Sequence, residues 1–552
     1  MTAPETANSD PTTSRKVTSP GRLIAILSLA GMAVSIMQTL VIPILPELSK
    51  ILHTHPANST WVLTITLLVG AVFTPISGRL GDMFGKRRIL LVSITAMVVG
   101  STICALSNGL TLMLIGRAFQ GASLGSIALG ISLMRDTLPR ERLTSAVALM
   151  SATMGIGGAI GLPLSAIVAQ KLSWHYLFWG SALIGLVVFI GIAMSIPESR
   201  VKTGGRFDFV GAFGLSIVLV CLLFGLSKTT QWGWGDPKQL ALFAIAAVVF
   251  CVWAWYERRI DQPLINVRTS IRRVVLFTNL ASILVGFSMY SLNLVMTQLL
   301  QAPKGNGLGF GQSMIVAGLC SAPMGFSMML ASPLAARIIR RFGPRFALRL
   351  GPVIIAIGFL FAVFFLQHVW EALIVSAFIG AGIAIAYAAM PTIIMRAVPN
   401  TETAAANSVN TLSRSLGTSL AAAVHGAIIA AAFAGAAVQP NVVNHDSFSA
   451  FDLCFLLGAI ASILAVVVAT FIPKENAQAD KTPVIEGDTL ADIVGLNDGE
   501  GLDGAAAASG LEAGGSPRFD KRATVLIREE HRRRVVRRRP AARPTRRARH
   551  LR

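Results

Sequence analysis

The run Gly78-Arg79-Leu80-Gly81-Asp82-Met83-Phe84-Gly85-Lys86-Arg87-Arg88 lies between two apolar blocks, near 60–78 and 89–107. Each block matches the ~20 helical residues that cross a hydrocarbon core of ~30 Å. A charge-dense turn between two such blocks describes a chain threading a membrane, and the alternation continues in both directions. Fourteen apolar segments can be counted, near 23–46, 60–78, 89–107, 110–134, 143–168, 175–196, 209–227, 239–256, 275–300, 312–336, 346–367, 371–395, 403–433 and 450–472. Hydrocarbon offers the backbone no hydrogen-bond partners, and period-two alternation is absent, so the segments are predicted as helices rather than barrel strands.

Composition agrees with that reading. Apolar residues make up 53% of the 552 and charged residues only 14%, too little charge to cover a soluble fold of this length. The net charge is nevertheless +21, and its placement follows the spans. Lysines and arginines number 21 on or beside the loops after even-numbered spans (Arg349, at the mouth of span 11, included) and 5 after odd-numbered ones. The positive-inside rule then places both termini in the cytoplasm. The first apolar block reads as a retained helix rather than a cleaved signal. Cys104, Cys221, Cys251, Cys320 and Cys454 all lie in spans without metal-like spacing, so neither disulfides nor zinc are expected.

The tail changes sign along its length. Residues 474–517 carry 2 basic and 9 acidic side chains, residues 518–552 carry 15 and 3. Neither part can bury a core, so disorder is expected. The Arg-rich end (Arg532–Arg534, Arg537–Arg539, Arg546, Arg547) is either a solvated tail or rests on anionic lipid headgroups, at roughly 1 kcal/mol per basic residue. Nucleic-acid binding is not expected, because no folded module or interleaved aromatics accompany the charge.

The opening run recurs 258 residues later as Ala336-Arg337-Ile338-Ile339-Arg340-Arg341-Phe342-Gly343-Pro344-Arg345. Arg79, Phe84, Gly85 and Arg87 match Arg337, Phe342, Gly343 and Arg345. Two related halves are what parallel-repeat transporters have. Gly85-Lys86 is not a nucleotide-phosphate loop, since Arg87 stands where that loop needs Ser or Thr. No nucleophile–base pair, metal cluster or cofactor fingerprint emerges, so neither an enzyme nor a cofactor is expected.

With these features the chain resembles the major facilitator superfamily, specifically its fourteen-span drug:proton antiporter branch (EmrB/QacA-like). Gly78, Asp82, Gly85, Lys86 and Arg87 stand at the matching positions of the superfamily's signature loop, with Arg88 completing its basic run; Met83 replaces a usual basic residue. The resemblance implies that this is the cytoplasmic gating loop, with Asp82 in a charge relay that latches that side shut. In span 4, Leu114-Ile115-Gly116-Arg117-Ala118-Phe119-Gln120-Gly121 matches the family's Arg-x-x-Gln-Gly pattern. A charge within a span should face the protein interior. The resemblance implies a proton-transfer role for Arg117 with Gln120, and helix–helix hydrogen bonding is the structural alternative. In span 5, Gly157, Gly161 and Pro163 permit close packing and a kink, and are similar to the branch's antiporter motif. That proline is one place late, and Ser165 and Ala166 replace glycines.

Span 1 departs from the pattern. Thr39 to Pro46 resembles the branch's signature there, but Met37 occupies the aspartate position. Glu47, Asp82, Asp136, Asp208 and Asp452 all lie near span ends or in loops. Coupling would then use Asp82 or Asp136 with Arg117, use a histidine, or work in a different way. His425 is the candidate histidine: with Asn407, Asn410, Arg414, Thr418 and Ala421 it recurs at spacings of three and four along span 13. That polar face is expected to line a central cavity. Met289, Asn293 and Met296 in span 9, and Gln38 in span 1, are further cavity candidates, methionine suiting promiscuous apolar sites.

The expected fold is an all-α polytopic membrane protein of 14 transmembrane helices. A cytoplasmic N-terminal segment (1–21) precedes a six-helix bundle (22–200). A linker with two inserted transmembrane helices (201–273), a second six-helix bundle (274–473) and a disordered cytoplasmic tail (474–552) follow. The expected function is export of amphipathic drugs or lipid-like molecules across the cell membrane by a monomer, with protons as coupling ion. Uptake of a small nutrient, and a non-transporting sensor or scaffold acting through the basic tail, are the alternatives.

Overall fold

The structure, a computed structural model, describes residues 19–473 apart from 43, 45–47, 49–51, 53, 55–60, 200, 303–308 and 439–449, with the backbone alone at 140, 230, 314 and 433–438. The first eighteen residues, Glu47, and the tail with its expected headgroup contacts lie outside the described residues.

Fourteen helices are long and apolar enough to cross a membrane, and among the described residues there are no strands. Spans 1 to 6 are Pro20–Thr39, Trp61–Phe84, Lys86–Ala105, Leu110–Thr137, Arg140–Lys171 and His175–Ser195. Span 4 is broken into Leu110–Ala122 and Ser126–Thr137. Spans 7 and 8 are Phe209–Trp232 and Pro237–Glu257. Spans 9 to 14 are Arg273–Gln301, Met314–Phe342, Pro344–Phe365, Val369–Ala397, Thr403–Val438 and Ala450–Thr470. Side-chain caps set several starts: Asp208 accepts from the Gly211 N–H at 2.8 Å, and Asp236 from the Lys238 N–H at 2.7 Å.

Spans 1–6 form one bundle around Leu27, Met97, Leu129 and Val188, and spans 9–14 a second around Val285, Phe359, Ile379 and Phe455. The bundles meet where span 5 packs on spans 10 and 12, and where spans 2 and 4 pack on span 13. Spans 7 and 8 pair with each other, and their apolar seam (Leu215, Leu219, Trp253) includes Ala71 of span 2 and Leu412 of span 13. Large apolar side chains such as Leu183, Met194, Phe213, Val248, Leu330 and Phe364 point outward, as expected of helices solvated by lipid.

The signature run is not the loop its charge density suggests. Span 2 continues as helix through Asp82 to Phe84, and span 3 begins at Lys86. Gly85 alone joins them, at φ 116°, a conformation that side chains with a Cβ rarely adopt. Gly343, its counterpart in the repeat, joins spans 10 and 11 in the same way at φ 85°.

Candidate functional site

The Gly85 link brings three charged side chains together under the bundle interface. Lys86 is fully buried; its ammonium lies 2.6 Å from Asp136 Oδ2 on span 4 and 3.6 Å from Asp82 Oδ1. Ser199 Oγ donates to the same Asp136 oxygen at 2.5 Å. Asp82 then reaches into the other bundle. Its carboxylate accepts from the backbone N–H groups of Ala404 (3.2 Å) and Ala405 (2.8 Å), in the first turn of span 13. Those N–H groups have no partner within their own helix and carry the positive end of its dipole, so a buried carboxylate there is doubly favoured. The approach requires Gly78: a Cβ at that position would sit 2.2 Å from Ser408 Oγ and 2.8 Å from the Ala404 carbonyl.

Second ties surround this contact. Arg135 donates to Thr403 Oγ1 (2.9 Å) and to the Val398 carbonyl (3.3 Å), again joining the first bundle to the second. Arg340 donates to Ser145 Oγ at 2.9 Å. Thr203 holds the Asp82 carbonyl through both its N–H and its hydroxyl. Arg87 donates to the Ala193 carbonyl at the end of span 6 (2.6 Å), and its N–H to Glu198 Oε1 (3.1 Å). Arg88 is peripheral, largely exposed and 3.8 Å from Glu198. Gly78, Asp82, Gly85, Lys86 and Arg87 therefore form one cluster with Asp136. Sequence reading did not find Arg135, Glu198, Ser199, Thr203 or the span-13 N-terminus as their partners, because nothing local marks them.

Arg117 lies apart from this cluster. It is buried, with Nε donating to the Val62 carbonyl (3.0 Å) and Nη1 to Gln120 Oε1 (2.8 Å) and the Met37 carbonyl (3.4 Å); Met37 Sδ is 3.8 Å away. Gln120 in turn donates to Ser101 Oγ at 2.8 Å. The residue at the position where the family carries aspartate thus meets Arg117 with a thioether and a carbonyl. Every acidic side chain among the described residues lies at a helix end or in a link.

The predicted packing motif lies between span 5 and span 1. Cβ atoms at Gly157 and Gly161 would stand 2.4 Å from Ser35 and 2.2 Å from Thr39, and Ser165 Oγ donates to the Leu40 carbonyl at 2.5 Å. Pro163 faces the other way, towards Gly318 of span 10. Span 5 thereby packs on span 1 on one side and on span 10 of the opposite bundle on the other.

The polar face of span 13 is packed in this conformation. Asn407 donates to Ser132 Oγ of span 4 (3.4 Å), and Asn410 to Asn279 Oδ1 (3.0 Å) and Ser282 Oγ (2.6 Å) of span 9. The Arg414 guanidinium lies 4.7 Å from the Tyr387 ring centre, and the Tyr387 hydroxyl donates to Met289 Sδ at 3.3 Å. His425 Nε2 is 2.6 Å from Ser291 Oγ, with its ring against Phe287. No described hydrogen bond or ion pair joins His425 to the Lys86 cluster or to Arg117. Asn293 donates to the Met289 carbonyl (3.0 Å), Met296 is buried in the second core, and Gln38 is half-buried.

Two cavities open at the end that carries the signature run. One, of about 220 Å³, is lined by Arg79, Thr203, Asp261, Asn266 and Glu402 among others, with Ala405 of span 13. The second, of about 470 Å³, lies between spans 5 and 10 around Ser145, Leu149, Met329 and Arg340. Neither includes Gln38, Met289, Asn293, Met296, Asn407, Asn410 or Arg414.

The fold is shared with known transporters. The human organic anion transporter MFSD10 (TETRAN) superposes with TM-score 0.59 at 14% identity, covering 82% of this chain and 99% of that one. The proton:xylose symporter XylE superposes with TM-score 0.57 at 12% identity, covering 82% and 96%. By sequence the chain is 25% identical to the multidrug resistance protein Stp of Mycobacterium tuberculosis (72% of this chain, 73% of that protein). It is 28% identical to the tetracenomycin C resistance and export protein of Streptomyces glaucescens (61% and 62%). The putative multidrug resistance protein MdtD of Pectobacterium atrosepticum is 25% identical (79% and 92%). The Major Facilitator Superfamily profile matches twice, over residues 27–277 and 278–542, one match for each half of the internal repeat. The chain belongs to the Major Facilitator Superfamily.

Proposed function

We propose that the protein exports amphipathic or lipid-like molecules by alternating access, driven by proton antiport, as a monomer in the cell membrane with both termini cytoplasmic. One observation carries the reading: the Asp82 carboxylate of the first bundle caps the span-13 helix of the second. A contact of that kind must break for the cytoplasmic side to open. The bundles 22–200 and 274–473 are the rocking units, and the 201–273 linker follows them. The export direction is supported by the relatives named for multidrug resistance and tetracenomycin C export.

Proton coupling fits the same cluster. Lys86 is shared by Asp136 and Asp82, so a proton taken up by either carboxylate weakens its hold on the ammonium. A proton on Asp82 also removes the charge that favours the span-13 N-terminus, which is worth about 1 kcal/mol. The latch opens, and it closes when the proton leaves. Arg117 and Gln120 anchor spans 1, 2 and 4 around this movement. The Arg-rich tail rests on anionic headgroups of the cytoplasmic leaflet.

The test is transport of a fluorescent amphiphile into proteoliposomes, with and without an imposed pH gradient. Accumulation that follows the gradient, and its loss in Asp82→Asn, is expected. Flux indifferent to the gradient would remove proton antiport, and absence of flux would remove export.

A further inference from the structure

Arg117 and Arg414 are both buried within spans, away from the helix ends, and their surroundings differ. Arg117 is held by two backbone carbonyls and the Gln120 amide oxygen. Arg414 is only 4% exposed, yet among the described residues its Nε and Nη1 have no hydrogen-bond partner; Nη2 donates to Thr411 Oγ1 at 3.0 Å. Its Cζ lies over the Tyr387 ring, which offers a π surface but no lone pair to these N–H groups. No acidic side chain pairs with it among the described residues, because the carboxylates there all lie at helix ends or in links.

A guanidinium stays protonated in proteins, and an unpaired charge inside a span costs on the order of 2.5–3.5 kcal/mol. Span 9 packs closely here: a Cβ on Gly286 would be 2.5 Å from the Arg414 carbonyl, and the Asn410 amide N–H groups bond to Asn279 and Ser282. The hydroxyl of Tyr387, the ring that Arg414 Cζ lies over, donates to Met289 Sδ, a weak acceptor. The second bundle therefore holds a buried cation whose Nε and Nη1 N–H groups have no partner among the described residues, against a tyrosine whose hydroxyl partner is easily exchanged. Charge-assisted hydrogen bonds from guanidinium N–H groups to a carboxylate are among the strong ones.

We infer that the transported class is acidic amphiphiles, an apolar body bearing a carboxylate, with Arg414 as the group that recognises the acid and Tyr387 as its second donor. The inference rests on the export reading above and specifies its substrate. The methionine beside the pair, Met289, suits variable apolar bodies. A lipophilic cation is disfavoured at the same place by like charge.

The experiment compares three probes of one skeleton with the full-length protein: an NBD-labelled twelve-carbon carboxylic acid, its methyl ester and the corresponding amine. Binding is followed by fluorescence in detergent and flux in proteoliposomes. The acid should exceed the ester by about tenfold, the worth of one charge-assisted hydrogen-bond pair. Arg414→Gln should bring the acid-to-ester ratio close to one, Arg414→Lys should leave it intermediate, and Tyr387→Phe should lower it about threefold. If Arg414→Gln does not fold, Arg414→Lys and Tyr387→Phe carry the comparison. Ester or amine handled as well as the acid, or a ratio unmoved by these substitutions, would overturn the inference while leaving export intact. If no probe moves but the solubilised protein still selects the acid through Arg414, acid recognition by Arg414 stands and the export reading falls, and with it the assignment of a transported class. If no probe moves or binds, both fall.

Discussion

Arg87 and Arg345 stand 258 positions apart and make the same contact in their respective bundles. Arg87, just after Gly85, donates to the Ala193 carbonyl at the end of span 6; Arg345, just after Gly343 and Pro344, donates to the Ile472 carbonyl beyond span 14. Each lies at the start of the third helix of its half and ties the last helix of that half through a carbonyl that helix cannot use itself. The repeat is thus one of structural role as well as of residues. Arg87→Ala and Arg345→Ala should each lower the melting temperature of the detergent-purified protein by a few degrees, corresponding to about 1–3 kcal/mol for a lost charge-assisted bond. A loss in only one of them would show that the two contacts are not equivalent.

Gly78 sets how closely the bundles meet. Gly78→Ala puts a methyl group 2.2 Å from Ser408 Oγ, so the Asp82 cap on span 13 cannot form without displacement. Transport should fall at least about tenfold, since overpacking costs of order 1–3 kcal/mol. Removing the obstructing side chain with Ser408→Gly should restore part of the flux. Flux in the double variant no better than in Gly78→Ala would place the defect elsewhere.

Lys86 is shared by two carboxylates that are themselves out of water. Lys86→Met keeps the length of the side chain but leaves Asp82 and Asp136 without their common cation. Breaking a buried pair in this way costs about 3–5 kcal/mol, and the yield of monodisperse protein should drop sharply. Combining it with Asp136→Asn removes one of the stranded charges and should recover part of that yield, as size-exclusion profiles of the two variants will show.

Met37 and Arg117 offer a double-mutant cycle. Met37→Asp sets a carboxylate beside a guanidinium that now has only carbonyl and amide oxygens to bond, so the variant should fold. In an Arg117→Met background the same aspartate has no cation, and thermal stability should fall by about 3 kcal/mol more. Equal melting temperatures for Met37→Asp with and without Arg117 would mean that the two residues do not meet.

Much of the architecture was legible in the order of residues. The fourteen helices and the kinship of the two halves followed from local runs and their recurrence, and the run that carries Asp82 and Lys86 was marked by its charge. The shape of the signature run did not. Its charge density reads as a loop, whereas Asp82 lies within span 2 and Lys86 opens span 3, with one positive-φ glycine between them. Charge marks the membrane boundary, but a helix does not have to stop there; a residue that permits the left-handed backbone decides where it stops.

The sequence by itself determined the number of helices, their charge asymmetry and the pairing of halves, because insertion of a helix depends on the transfer energy of about twenty consecutive residues. Tertiary structure alone decided which group answers which. Lys86 meets Asp136 from 50 positions away, and Asp82 meets the Ala404 and Ala405 N–H groups from 322 and 323. Arg117 finds Met37, while Arg414, spaced on its helix like any packing residue, keeps Nε and Nη1 without a partner among the described residues. Hydrogen bonds and ion pairs act over a few ångströms, and no local pattern in a chain tells which distant backbone atoms packing will bring within that range.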